Sequence, residues 1–143
     1  EKDEEFDLSD LINRLIDKYN NKNISKNISP KICINGRKNL IQRCINNLID
    51  NAIKYGEKVK VELSKNNNSL FIKIEDNGPG IPEEEYSNVF KPFYKIDKSR
   101  ADSKSSVGLG LSIASDIIRS HGGNIQLEKS SLNGLGVKIF LPI

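Results

Sequence analysis

The chain has 143 residues, of which 36% are hydrophobic and 29% charged, and this balance fits one domain with a core of its own. No apolar run approaches membrane-spanning length, the first residues do not resemble a signal peptide, and a net charge of +3 is too small to indicate nucleic-acid binding. Cys33 and Cys44 lack metal-binding spacing, which indicates a reducing compartment and two buried, small apolar side chains.

The first 35 residues predict a helix, a connection and a short strand. Residues 6–10 open the helix with Asp7 as its N-cap, and apolar residues follow at helical spacing at Leu8, Leu11, Ile12, Leu15, Ile16 and Tyr19. Residues 20–30 are polar and rich in Asn and Lys, which predicts a connection. Residues 31–35 predict a short strand.

A second helix is predicted from about residue 38 to 55, ending at Gly56. Asn47, Asn51 and Tyr55 lie at i, i+4 and i+8 and share one face, with Lys54 at its edge. The opposite face carries the apolar residues Leu40, Ile41, Cys44, Ile45, Leu48, Ile49 and Ala52.

The rest of the chain predicts four strands, a short acidic helix after Pro82 and a third long helix. The strands surround residues 59–63, 70–74, 125–127 and 137–141, with turns at 66–68 and 133–134. The long helix opens at 108–112 and closes at 122–123, and the polar segment 95–107 is expected to be a mobile lid. This order predicts a two-layer α/β sandwich: a mixed, mostly antiparallel sheet of about five strands with three main helices on one face.

The asparagine row is the first candidate for chemistry. Asn is a mediocre helix former, so two of them on one helical face need a reason. An amide oxygen can bind a hard cation such as Mg²⁺, and Lys54 can reach a phosphate. The row with Tyr55 therefore predicts a nucleotide site.

Asp76 and the glycine-rich residues after it form the second candidate. A carboxylate at a strand end can accept the exocyclic amine of adenine, and Gly78 and Gly80 let the backbone pass close to the base. An ordinary Asp-Asn-Gly turn explains the same residues equally simply.

Gly108-Leu109-Gly110 precedes a helix start, where free N–H groups and the helix dipole bind phosphate. Glycines also serve ordinary loop-to-helix turns, and the pattern is neither a Walker loop nor a dinucleotide fingerprint.

The segment before this helix carries aromatic and basic residues. The aromatic residues are either core side chains or the hinge of a lid: Phe90, Phe93 and Tyr94. The basic residues are either solvated or close over a terminal phosphate: Lys95, Lys98, Arg100 and Lys104. His121, the single histidine, is expected to be a helix-end cation.

Together, and in this order, these motifs resemble the catalytic ATP-binding domain of two-component sensor histidine kinases, which has the Bergerat (GHKL) fold. Residues 47–55 resemble the Asn box, 76–81 the first glycine box, 90–93 the Phe box and 108–111 the second glycine box. The resemblance covers the whole chain, and it implies one domain over residues 1–143.

The resemblance implies a role for each matching position. Asn51 is expected to bind Mg²⁺ with help from Asn47, Lys54 to contact phosphate, and Tyr55 to pack beside the nucleotide, while Asp76 binds the adenine amine. The remaining positions implied for ATP are Gly78, Gly80, Ile81, Phe93, Lys95, Arg100, Val107, Gly108, Leu109, Gly110, Leu111 and Ser112. Asn47, Lys54, Lys95 and Arg100 are expected to assist the phosphoryl transfer itself.

Gyrase- and chaperone-type ATPases of the superfamily have a Glu where Asn47 stands. Glu can act as general base on water and a neutral amide cannot, so Asn47 favours phosphoryl transfer to a protein over hydrolysis. The chain departs from the family pattern at two places. Ser105-Ser106-Val107 stands where relatives often have another Gly, and Leu135 stands where many have a Ser or Thr. A polar contact supporting Asp76 is therefore expected to be missing or supplied elsewhere.

No histidine-bearing helix precedes Phe6, so the dimerisation and phosphoacceptor domain is expected to be separate and the chain is not expected to phosphorylate itself. The resemblance implies a response regulator as further partner, a homodimeric parent in the inner membrane, and a monomeric, cytoplasmic isolated domain. The alternatives are a serine kinase of the anti-sigma type and a nucleotide-sensing module without catalysis. Nucleic-acid binding is not expected, because the basic residues are scattered.

Overall fold

The computed structural model describes residues 1–19, 23–92 and 107–143, with the backbone alone for 107–109. In chain order its elements are β1 (Glu4–Asp7), α1 (Leu8–Asp17), β2 (Ile24–Ile28), β3 (Cys33–Gly36), α2 (Lys38–Tyr55), β4 (Val59–Asn66), β5 (Ser69–Asp76), α3 (Val107–Ser120), β6 (Asn124–Lys129) and β7 (Leu135–Pro142). Two short 3-10 helices, Glu83–Glu85 and Asn88–Phe90, follow β5. None of the described helices is both long and apolar enough to cross a membrane.

Five strands form the main sheet in the order β2-β4-β5-β7-β6. β2 runs parallel to β4, and the other three pairs are antiparallel. β1 and β3 form a separate antiparallel pair. The predicted two-layer α/β sandwich with a mixed, mostly antiparallel sheet is confirmed.

The core lies between the three helices and one face of the sheet. In β5, Leu70, Ile72 and Ile74 are buried while Phe71 and Lys73 on the other face are partly exposed, because successive strand residues point to opposite faces. The buried strand residues share one cluster with the apolar faces of α1, α2 and α3. Each fully buried Leu or Ile contributes roughly 1.5–3 kcal/mol, so this layer provides most of the stability.

Helix starts and ends follow local chemistry closely. Asp7 caps α1 as predicted, since its Oδ1 accepts the amide of Asp10 at 2.9 Å, although Phe6 belongs to β1 and not to the helix opening. α2 ends before Gly56 as predicted, but Gly56 is extended, with φ −120°. Glycine is needed there because a Cβ would lie 2.8 Å from Cβ of Asp76.

The predicted connection over residues 20–30 is wrong in part, because β2 lies within it. β2 is an edge strand that pairs only with β4, and its three central residues are exposed. The predicted burial of the cysteines is right for Cys44 and wrong for Cys33, which is exposed on β3.

His121 lies at the end of α3, as expected, and its ring contacts the start of α2. Its Nε2 accepts the backbone amide of Arg37 at 3.1 Å. Its Nδ1 lies 2.8 Å from the carbonyl oxygen of Ile117 and donates to it. The ring thus joins the end of α3 to the start of α2.

Candidate functional site

The polar row of α2 carries an unsatisfied group. Asn47 and Asn51 are partly buried along the edge of the apolar face of the helix, and not opposite it as predicted. The opposite face carries the exposed side chains of Arg43, Asp50 and Lys54. The Nδ2 atom of Asn51 is buried and has no hydrogen-bond partner among the described residues. A buried polar atom without a partner costs roughly 1–3 kcal/mol. This N–H donor is therefore suited to an acceptor atom on a ligand or an ordered water.

The first turn of α3 faces this amide. A Cβ at Gly110 would lie 3.1 Å from Nδ2 of Asn51, so glycine at this position lets α3 approach the asparagine closely. The structure therefore brings the glycine-rich pattern of residues 108–111 next to the asparagine row, although more than fifty positions separate them in sequence.

The other residues predicted to bind phosphate at the start of α3 differ in the burial of their side chains. The side chains of Leu111 and Ser112 are buried, and Leu111 belongs to the core. Their amides lie beyond the first four of α3, which are the ones that have no partner within the helix. Val107, Gly108 and Leu109 are helical, and their side chains lie outside the described part of the chain.

Asp76 lies at the end of β5 with 6% of its surface exposed. Its Oδ1 accepts the amides of Gly78 at 2.8 Å and Leu135 at 3.2 Å. Burial raises the pKa of this carboxyl, and the two hydrogen bonds from Gly78 and Leu135 only partly offset that rise. The contact that Leu135 was expected to lack comes from its backbone.

The loop after Asp76 packs against the end of α2. A Cβ at Gly78 would collide with the carbonyl of Tyr55, and Gly80 has a φ of +73°, which a side chain disfavours. Tyr55 and Ile81 are both partly buried beside this contact, while Lys54 lies exposed in the last turn of α2. The Asn box and the first glycine box thus form one continuous surface.

Asn77 joins the same two segments and was missed by the sequence reasoning. Its Oδ1 accepts the amides of Glu57 at 2.7 Å and Lys58 at 2.8 Å, and its own amide donates to the carbonyl of Lys58 at 3.1 Å. These bonds fix the chain that leaves α2 against the Asp76 loop. An asparagine between Asp76 and a glycine was the signal available in the sequence.

A cavity of about 570 Å³ opens on the other side of Asn47, between the end of α1 and the outer face of α2. Tyr19 closes one wall, and its hydroxyl donates to Oδ1 of Asp50 at 2.8 Å. Burial, reinforced by Asp50, raises the pKa of Tyr19. The cavity walls are polar, with Lys18 and Arg43 as cations, so this side of Asn47 is open to water and to charged groups.

Most of the predicted lid lies outside the described residues, as do the predicted positions Phe93, Tyr94, Lys95, Lys98, Arg100 and Lys104. In the described ranges no three His, Cys, Asp or Glu side chains are grouped so that they could hold a metal ion. Mg²⁺ is often bound by one or two protein oxygens together with substrate phosphates. The partly buried amides of Asn47 and Asn51 fit such a site.

This combination of fold and site is that of an ATP-binding domain, and the comparison with known families agrees. Residues 36–143 match the family described as Histidine kinase-, DNA gyrase B-, and HSP90-like ATPase, and the chain belongs to that family. The resemblance to the ATP-binding domains of sensor histidine kinases is confirmed by the relatives and by the solved structures.

Among the curated relatives, the sensor histidine kinase GtrS of Pseudomonas aeruginosa is 36% identical over 107 residues, which are 75% of this chain and 22% of that protein. The signal transduction histidine-protein kinase ArlS of Staphylococcus aureus is 46% identical over 94 residues, 64% of this chain and 21% of that protein. The chain thus spans about a fifth of these relatives. The ATP binding domain of PrrB from Mycobacterium tuberculosis superimposes with a TM-score of 0.80 at 28% identity, covering 99% of this chain and 98% of that one.

Proposed function

We propose that residues 1–143 form the catalytic ATP-binding domain of a sensor histidine kinase. The domain binds Mg-ATP and donates the γ-phosphate to a histidine on a separate dimerisation domain, from which it passes to an aspartate of a response regulator. The observation that carries this proposal is the buried Nδ2 atom of Asn51, which lies beside Gly110 of α3 and has no partner among the residues that the structure describes. The Asn box and the second glycine box can therefore contact one ligand.

The adenine end of the proposed site is Asp76. Its Oδ1 already accepts two backbone amides, which orients the carboxylate before the nucleotide arrives. The carboxylate then accepts the exocyclic amine of adenine, while Gly78, Gly80 and Ile81 shape the pocket. Tyr55, next to Gly78, packs beside the nucleotide.

The phosphate end lies along α2 and the start of α3. Asn51 and Asn47 present amide oxygens for Mg²⁺, and the cation would offset phosphate charge when it is bound. Lys54, in the last turn of α2, contacts phosphate. Val107, Gly108, Leu109 and Gly110 offer the backbone amides of a helix start, and Leu111 and Ser112 follow them in the helix. Lys95 and Arg100 are proposed to reach the terminal phosphate.

The identity of Asn47 supports phosphoryl transfer over hydrolysis. A neutral amide cannot take a proton from water as a glutamate can. We therefore expect the isolated chain to hydrolyse ATP very slowly, and multiple turnover at ordinary ATPase rates would contradict this. The relatives named as histidine kinases support a parent of that class. The parent is further proposed to be a homodimeric membrane sensor, with this domain in the cytoplasm.

A reconstitution experiment tests the proposal. The chain is mixed with labelled Mg-ATP and a protein fragment that carries the dimerisation domain of the same parent. Acid-labile label is expected on that fragment, and none on the chain itself. A fragment whose histidine is replaced by Gln is the control. Label on the chain alone, or on the Gln fragment, would contradict the proposal, and ATP binding without transfer would favour a nucleotide-sensing module.

A further inference from the structure

Glu75 is a buried carboxylate that the proposed function does not use. It precedes Asp76 on β5 and therefore points to the opposite face of the sheet, with Phe71 and Lys73. Nevertheless only 2% of its surface is exposed. Glutamate is almost never fully buried unless it is paired, so its partners identify its role.

Those partners are in the β6–β7 turn, residues 130–134. Oε2 of Glu75 accepts the hydroxyl of Ser130 at 3.1 Å, the amide of Ser131 at 2.6 Å and the hydroxyl of Ser131 at 2.9 Å. All three bonds end on one oxygen atom. Hydrogen bonds to a charged acceptor are about twice as strong as those between neutral groups, so this single atom fixes the start of the turn.

The same turn continues to Asp76 on the other face of the sheet. Within the turn, the amide of Ser130 donates to the carbonyl of Gly134 at 2.9 Å. Gly134 in turn donates to the carbonyl of Asp76 at 3.1 Å, and Leu135 donates to its Oδ1 at 3.2 Å. A Cβ at Gly134 would collide with Asp76, so a small displacement of the turn changes how Asp76 is supported.

We propose that Glu75 is a positioning residue for adenine recognition: it anchors the β6–β7 turn so that the Leu135 amide orients the Asp76 carboxylate toward the adenine amine. This rests on the proposed function, in which Asp76 binds that amine. Glu75 does not touch the nucleotide and acts only through the turn and Asp76.

The role predicts a loss of discrimination between bases more than a general loss of affinity. ATP and purine riboside triphosphate differ only in the 6-amino group, so the ratio of their affinities isolates the contact with Asp76. Unfolding or a damaged phosphate site lowers both affinities and leaves the ratio unchanged. The ratio therefore separates a positioning role from a structural one.

Three variants and a control of the intact chain are compared by calorimetric titration. Glu75→Ala removes the acceptor and is expected to lower the ATP preference by about tenfold. Glu75→Gln retains a neutral oxygen and is expected to lower it by about threefold, a partial rescue. Glu62→Ala is the control, because Glu62 lies on β4, on the same face of the sheet as Glu75, and forms an ion pair with Lys60 at 3.8 Å instead of a bond to the turn. This variant is expected to keep the wild-type preference for ATP.

The third variant guards against misfolding. Ser131 is exposed, so Ser131→Ala removes one of the three bonds without disturbing the core, and it is expected to lower the preference by about twofold. If Glu75→Ala does not fold, the preference for ATP over purine riboside triphosphate is compared in Ser131→Ala and Glu75→Gln instead. An unchanged preference in the folded variants overturns the role of Glu75. If the wild-type chain itself does not prefer ATP, the assignment of Asp76 fails, and the role of Glu75 falls with it.

Discussion

The two ends of the candidate site differ in how their polar groups are satisfied. At the asparagine row, the Nδ2 atom of Asn51 is buried without a partner among the described residues. At the other end, Asp76 accepts two backbone amides and is surrounded by glycines that admit close approach. The first end has a donor that a ligand can satisfy, whereas the second is organised in advance. We therefore expect the row to control the reaction and Asp76 to control which base binds.

Replacing Asn51 gives the strongest test of this division. Asn51→Ala is expected to reduce phosphoryl transfer to the dimerisation domain by about a thousandfold, because metal and phosphate lose their contact on α2. The preference for ATP over purine riboside triphosphate should remain. Transfer is measured as acid-labile label, with Asn46→Ala as control. If Asn51→Ala loses the base preference and keeps its transfer rate, the division is wrong.

Replacing Asp76 tests the opposite end. Asp76→Asn places an N–H donor and removes the charge where the adenine amine is proposed to donate, so the affinity for ATP is expected to fall by about a hundredfold. Calorimetric titration measures it. Asp50→Asn, at an exposed carboxylate of α2 bonded to Tyr19, is the control. An Asp76→Asn chain that binds ATP as tightly as the wild type would remove Asp76 from the site.

Replacing Asn47 tests whether this position of the asparagine row decides between phosphoryl transfer and hydrolysis. Asn47→Glu introduces a general base on α2, and we expect the slow hydrolysis of ATP to rise by about tenfold. Release of inorganic phosphate by the isolated chain is the measurement. Asn46→Glu adds the same charge one residue earlier and should leave the rate unchanged. Equal rates for all three chains would mean that Asn47 does not face the attacking group.

The smallest effect concerns the support behind Asp76. Burial alone would raise the pKa of Glu75, but the hydrogen bonds from Ser131 and Ser130 bring it below its ordinary 4.5. The unfolded state then binds more protons between the two pKa values, so the carboxylate stabilises the fold above this window and loses that contribution as the pH falls. Glu75→Gln is expected to lower the unfolding free energy by about 1 kcal/mol at neutral pH.

Denaturant unfolding at several pH values measures this difference. It should shrink once the pH falls below about 4.5, the ordinary value for the carboxyl. Glu62→Gln, on the same sheet face, is the matched control and should show a smaller, flatter difference. If Glu75→Gln lowers the free energy of unfolding by the same amount at every pH, the charge of Glu75 does not contribute to the stability of the turn.

Local patterns predicted the framework of the site well. The 3.6-residue period of α2 placed Asn47 and Asn51 on one face of the helix, and the structure has them partly buried together at the edge of its apolar face. The alternation in β5 led directly to Asp76 at the strand end. Both patterns involve residues close in sequence, where backbone geometry alone decides which side chains share a face.

The support of Asp76 could not be predicted in the same way. The Leu135 contact comes from a backbone amide, and every residue except proline has one, so the side chain gives no signal. Glu75 and Asn77 have polar side chains that suit an ordinary solvated strand end. Their roles depend on a turn fifty-five residues away and on the exit from α2.

By itself, the sequence determined the cap of α1 and the limits of α2, because each follows from residues close together in one element. The order of the elements determined the fold class, and the order of the motifs gave the resemblance to ATP-binding domains. Only the tertiary structure decided that β2 is a strand, that His121 bonds the backbone of Arg37 and that Glu75 is buried. Each of these depends on a partner from a distant segment: β4, the amide of Arg37 and the β6–β7 turn. A hydrogen bond between distant segments leaves no periodic trace in the chain, so such partners become known only when the segments are packed together.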